Sequence, residues 1–169
     1  YTVILDKQGG TGGSDQVEST YDAAMPAGAL APTKTGYEFG GYYGSPNGVG
    51  EQYYTADMVS ADTWTTAANG TIYAKWTAKS YIVTLDFQEG TGGTSSVIAY
   101  YDQYVPAATP PTRTGYTFNG YFSQVNGGGK QYYGPHMEML EKWDIDSTAT
   151  LYAKWTINIY TITFNANGG

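Results

Sequence analysis

A seven-residue stretch occurs twice in this chain. Residues 71–77 read TIYAKWT and residues 150–156 read TLYAKWT. The remainder aligns around them. YTVILDKQGGTGG at 1–13 matches YIVTLDFQEGTGG at 81–93, PTKTGYEFGGYY at 32–43 matches PTRTGYTFNGYF at 111–122, and QYY recurs at 52–54 and 131–133. Trp64 pairs with Trp143, and the offset falls from 80 to 79 in the loop before Pro32. A third copy opens at Tyr160 with YTITFNANGG. Such periodicity requires each unit to fold as one repeat of an array. The expected division is repeat 1 at 1–77, a linker at 78–80, repeat 2 at 81–156, a linker at 157–159, and the opening strand of a third repeat at 160–169.

Within a unit the opening segment alternates Tyr1, Val3, Leu5 and then Tyr81, Val83, Leu85. That is the period of a half-buried strand. GGTGG supplies backbone suited to positive φ, so a hairpin with Val17, Ser19 and Tyr21 on the returning strand is expected. Asp22 and Asp102 could each cap one turn of helix at most, because Pro26 and Pro106 follow closely. Tyr37, Phe39, Tyr116 and Phe118 should face inward from a third strand. Residues 135–143, PHMEMLEKW, predict a short helix with Met137, Leu140 and Met139 inward. Asn69-Gly70 predicts a type I′ turn. The closing strand places Trp76 or Trp155 in the core and Lys75 or Lys154 on the other face, where the lysines would discourage edge-to-edge pairing.

Tyr is very abundant at 18, Gly reaches 23, and charged residues are only 14%. This favours short strands and turns over helices. A net charge of −7 with eight Lys and Arg leaves no basic stripe for phosphates, so nucleic acid is excluded as a partner. There are no cysteines, hence no disulfides, thiolate metal sites or Cys nucleophile. No apolar run approaches a membrane span. The chain begins at Tyr1 inside a strand pattern, as expected of a piece cut from a longer protein.

A catalytic repeat should carry its catalytic groups in both copies. The single His136 has Asp57 as its counterpart, and no Ser-His-Asp arrangement is visible. Asp6 and Asp86 recur at strand ends; Asp22 and Asp102 recur at turns. Structural roles explain all four. Asp144 and Asp146 form an Asp-x-Asp in the second copy alone; a solvated acidic turn is the simpler reading and Ca²⁺ the alternative. No phosphate-cradling glycine motif is present, and no cofactor is expected. What remains is aromatic. Adjacent residues on a strand point to opposite faces, so one member of each Tyr53/Tyr54 and Tyr132/Tyr133 pair should lie outside, available to a glycan or protein.

These motifs, in order and twice over, resemble the Listeria–Bacteroides repeat family, the B-repeats of internalin B and other large bacterial surface proteins. The resemblance spans both units and the third opening. Family members usually carry Trp where Tyr42 and Tyr121 stand. The resemblance implies a mainly β, α+β unit with a β-grasp-like (ubiquitin- or SUMO-like) fold, repeated in an extended array. It also implies secretion, display at the extracellular face, cell surface or cell wall, and no catalytic site.

The expected function is therefore a non-catalytic stalk or spacer with a possible adhesion role. The alternatives are a glycan- or protein-binding module acting through exposed tyrosines, and a self-assembling fibre subunit whose residues 160–169 complete another chain's sheet. Expected partners are a host or cell-surface protein or glycan, neighbouring repeats, and further copies of the chain.

Overall fold

The computed structural model describes residues 1–168 and divides into two compact units, Tyr1–Lys79 and Ser80–Gly169. Each is a five-stranded mixed sheet, and the chain is mainly β as expected. In the first unit the strands are β1 (Thr2–Asp6), β2 (Gln16–Glu18), β3 (Tyr37–Ser45), β4 (Val49–Tyr54) and β5 (Gly70–Ala78). The second has β6 (Ser80–Asp86), β7 (Ser96–Tyr100), β8 (Tyr116–Gln124), β9 (Gly128–Tyr133) and β10 (Ala149–Ile157). The spatial orders are β2-β1-β5-β3-β4 and β7-β6-β10-β8-β9.

The opening hairpin forms as its alternation dictates, with Val3 opposite Val17. The opening and closing strands of each unit lie side by side and parallel, Leu5 opposite Ile72 and Leu85 opposite Leu151. Their inward residues Val3, Leu5, Ile72 and Ala74 are almost fully buried. The closing strands are thus central. Lys75 and Lys154 therefore cannot guard an edge, which corrects that expectation. Instead the Lys75 stem lies across Gly48 and its ammonium sits 5.5 Å from the Tyr43 ring; Lys154 does the same with Gly127 and Phe122. A side chain at either glycine would collide with that stem.

The core is closed by irregular chain. The segments after β2 and after β4 bond to each other, Asp22 N to Trp64 O at 2.8 Å and Trp64 N to Ala23 O at 2.9 Å. They bring Met25, Met58 and Trp64 onto the sheet. Asp22 and Asp102 adopt φ of 56° and 57°, so they are left-handed turn residues, not helix caps. The helix expected at 135–143 is absent too. Pro135 and His136 occupy a tight turn, with Met137 N bonded to Gly134 O and Gly134 N to Glu138 O. Met137 points inward at φ 61°, whereas Met139 and Leu140 are exposed. One turn of four residues cannot keep three apolar side chains on one face.

Asn69-Gly70 is likewise not a type I′ turn, since neither residue has positive φ. Asn69 Oδ1 accepts Thr2 N at 3.0 Å, and a Cβ on Gly70 would stand 2.5 Å from the Trp64 ring. The paired positive φ of a type I′ turn occurs between β3 and β4, at Asn47 (63°) and Gly48 (74°), and again at Asn126 and Gly127. Beyond β10, residues 158–168 hold no strand, and Tyr160, Ile162 and Phe164 are exposed. This corrects the expected opening strand at 160–169, of which Gly169 lies outside the described residues. An opening strand pairs with the second and fifth strands of its own repeat, and those are not among residues 1–168. Its turn nevertheless forms locally: Asn167 N bonds Asn165 Oδ1 at 2.9 Å, as Gln8 N bonds Asp6 Oδ1 and Gln88 N bonds Asp86 Oδ1.

Candidate functional site

The tyrosine pairs are not surface groups. Tyr54 and Tyr133 are fully buried, and Tyr53 and Tyr132 are 9% and 1% exposed. The reason lies in the backbone. Tyr42 pairs with Tyr54 but Tyr43 pairs with Gln52, so β4 carries one extra residue there; β9 repeats this. A bulge breaks the strict alternation on which the outward assignment rested. Tyr53 packs against Trp64 at 5.3 Å and Tyr132 against Trp143 at 5.1 Å. Tyr54 Oη donates to Pro26 O at 2.8 Å, and Tyr133 Oη to Pro106 O at 2.6 Å. Burial pushes the Tyr54 and Tyr133 phenols up to about 12. All four tyrosines hold the core, so their reading as ligand contacts is corrected.

The bulge has a partner on β3. Phe39 pairs with Trp76 and Tyr42 with Ala74, leaving Gly40 and Gly41 against the single residue Lys75. Gly41 has φ 104°, and a Cβ there would stand 2.1 Å from Tyr54 O. The carbonyls around it are gathered by Gln52, whose Nε2 reaches Gly40 O at 3.3 Å and Tyr54 O at 3.1 Å. This role of the Gln in the QYY motif was missed. The signal was available, since Gly-Tyr and Gln-Tyr-Tyr recur together at fixed separation.

Asp144 does not present a free carboxylate to a cation. Tyr132 Oη donates to it, and Lys130 Nζ reaches it at 2.8 Å while also bridging Glu141 at 3.1 Å. Burial raises the Asp144 carboxyl, but the bonds from Lys130 and Tyr132 outweigh this and hold it below the usual range. Asp146 accepts from Tyr81 Oη. No group of three potential metal ligands occurs among the described residues. His136 is exposed, and its backbone N–H meets Glu138 at 2.8 Å.

A cleft of about 740 Å³ does occur in the second unit. It lies where the end of β6, the chain before β8, the β8–β9 turn and β10 meet. Asp86, Gln88, Arg113, Asn126, Lys154 and Trp155 line it, together with Glu89, Tyr116 and Ala153. The Arg113 guanidinium lies 3.8 Å from the Tyr116 ring centroid and is ion-paired with Glu89. Trp155 Nε1 donates to Phe87 O at 2.8 Å, fixing the loop after β6. In the first unit Lys34 Nζ lies 4.6 Å from the Tyr37 ring and 5.9 Å from that of Trp76, and donates to Gln8 O at 3.1 Å. This cation, aromatic and carboxamide set also escaped the sequence reading, because its members come from four separated segments.

Fold and geometry together define a tandem all-β repeat protein whose aromatic motifs are structural. Comparison with known proteins places it more closely. The model of the Listeria–Bacteroides repeat domain matches residues 1–75 and again 81–154, and the chain belongs to that family. A protein of Evansella cellulosilytica called a Gly-rich membrane protein is 30% identical over the whole of this chain and 18% of its own length. A second membrane protein of that organism is 29% identical, again over the whole chain and 23% of its own length. Internalin H of Listeria monocytogenes is 31% identical over 76% of this chain and 21% of its own. The chain thus spans less than a quarter of each relative. Two of these relatives are named as membrane proteins, while no helix among the described residues of this chain is long and apolar enough to cross a membrane.

Proposed function

We propose that this segment is a non-enzymatic, load-bearing spacer of an extracellular, surface-displayed protein. One observation carries the load-bearing role. Each unit enters through its opening strand and leaves through its closing strand, and these two are parallel neighbours, Val3 to Asp6 against Gly70 to Tyr73. Tension along the chain pulls the start of β1 and the end of β5 in opposite directions along the strand axis. Every hydrogen bond of the pair is then loaded in shear at once instead of being peeled singly. The second unit repeats the arrangement, Val83 to Asp86 against Ala149 to Tyr152. A β-grasp-like description of the unit is supported by the central parallel pair and the strand order, with irregular segments where a helix would lie.

Surface display draws support from the kinds of protein that share the repeat. The test is labelling of intact cells that express the parent protein, with an antibody raised against residues 1–159. Labelling without permeabilisation is expected; labelling only after permeabilisation contradicts display.

A further inference from the structure

Three polar side chains in the second-unit cleft have hydrogen-bonding capacity that the repeat does not use. Gln88, Asn126 and Lys154 all line it, and their side chains make no hydrogen bond or ion pair among the described residues. The same residue types stand at Gln8, Asn47 and Lys75 in the first unit. Asn at 47 and 126 has a local reason, since both adopt positive φ and Asn tolerates it. Gln does not have that reason. Gln8 and Gln88 both adopt φ 47°, a conformation Gly or Asn takes at lower cost. The flanking residues differ, Lys7 and Gly9 against Phe87 and Glu89, yet Gln is present in both copies. The strained backbone recurs in both copies, and in the second unit it carries an unused carboxamide to a cleft, where what the carboxamide contacts explains it.

We infer that the cleft binds a carboxylate-bearing sugar, such as a uronate unit of a glycan. Lys154, which makes no ion pair among the described residues, supplies the cation for the carboxylate; Arg113 lines the same cleft and is ion-paired with Glu89. The carboxamides of Gln88 and Asn126 each offer a donor and an acceptor, as neighbouring sugar hydroxyls require. Asp86 supplies a further acceptor. An extended peptide is disfavoured because β6, β8 and β10 are all interior strands with no free edge for backbone pairing. This site is independent of the load-bearing role, and its test reads binding, not force.

The test is an amide-resolved NMR titration of the whole chain with trigalacturonate, with neutral maltotriose and a Glu-rich peptide run in parallel. Trigalacturonate is expected to shift Gln8, Asn47, Lys75 and their second-unit counterparts, more weakly at higher salt, while the other two leave them unmoved. Lys75→Met with Lys154→Met keeps the packed stems and removes both charges; at least tenfold weaker binding is expected. Gln8→Asn with Gln88→Asn suits the turn better, so a retained or raised melting temperature with at least fivefold weaker binding is expected. The inference is overturned by absence of shifts at millimolar trigalacturonate, by shifts confined to other residues, by undiminished binding in either folded variant, or by binding of the peptide in place of the sugar.

Discussion

Gln131 closes the backbone around Gly120: its Nε2 donates to Asn119 O and Tyr133 O, both at 3.0 Å, on either side of a glycine at φ 109°. The first unit does the same with Gln52 and Gly41. This pairing holds the two bulges that turn consecutive tyrosines into the core. Leaving carbonyls unpaired costs roughly 1–3 kcal/mol. Gln131→Ala should therefore destabilise the second unit by about 2 kcal/mol in urea unfolding. Gly120→Ala would place a Cβ 2.1 Å from Tyr133 O and should leave that unit unfolded by circular dichroism.

The tyrosine hydroxyls separate into two kinds. Tyr54 and Tyr133 each satisfy a proline carbonyl, while the Tyr42 and Tyr121 hydroxyls are buried without a partner. Tyr133→Phe should cost about 1 kcal/mol, the net worth of a hydrogen bond. Tyr121→Phe should be neutral or stabilising, since it deletes only an unpaid desolvation. Equal losses in thermal unfolding of the two variants would contradict this assignment.

Alkaline pH should unfold both units cooperatively. Burial, with Asp6 and Asp15 adding to it, pushes Tyr42 up to about 12, and burial pushes Tyr54 and Tyr133 to about 12 as well. Tyr121 and Tyr132 are also raised, chiefly by burial. An unfolded tyrosine loses its proton near the ordinary value of ~10. Between that pH and about 12 the native state holds more protons than the unfolded state, so stability falls as pH rises. Each such tyrosine removes roughly 1.4 kcal/mol per pH unit across this window. Tyrosinate absorbance from the buried set should appear together with loss of the sheet signal. Ionisation well below the unfolding transition would contradict the burial.

The second unit alone should show an added acid dependence. Asp144 is held ionised by Lys130 and Tyr132, and the first unit has Thr65 in its place. A depressed carboxyl contributes above its unfolded pKa, and that contribution is lost as pH falls through the lower folded value. With its side chain 53% exposed, solvent screening limits the effect to about 0.5–1 kcal/mol. Asp144→Asn should remove the difference in acid sensitivity between units 1–79 and 80–159 measured separately.

The repeat, the opening hairpin and the β class were legible because they rest on alternation and on identity between copies. The errors arose where one residue alters the count. The extra residue at Tyr53, set against a glycine bulge at Gly40 and Gly41, turned both Tyr53 and Tyr54 inward, and no single-strand pattern reveals which partner strand carries a bulge. The helix read at 135–143 had a helical spacing of Met and Leu. The chain there is pinned as a turn by the backbone N–H of Trp143, which donates to Gln103 O in the segment after β7. The cleft was hidden for a related reason: Gln88, Arg113, Asn126 and Lys154 are neighbours only after β6, β8 and β10 have paired.

The central claim is mechanical, and pulling on the single chain from residues 1 and 159 tests it most directly. Two separate high-force unfolding events are predicted, each releasing roughly 250 Å of chain for about 75 residues at ~3.3–3.6 Å each. Moving one attachment point from residue 1 to Glu18, so that the load enters through the three-residue edge strand β2 and not through β1, should lower the force of the first unit alone. A single low-force event, or equal forces in the two geometries, would contradict a spacer clamped by its parallel opening and closing strands.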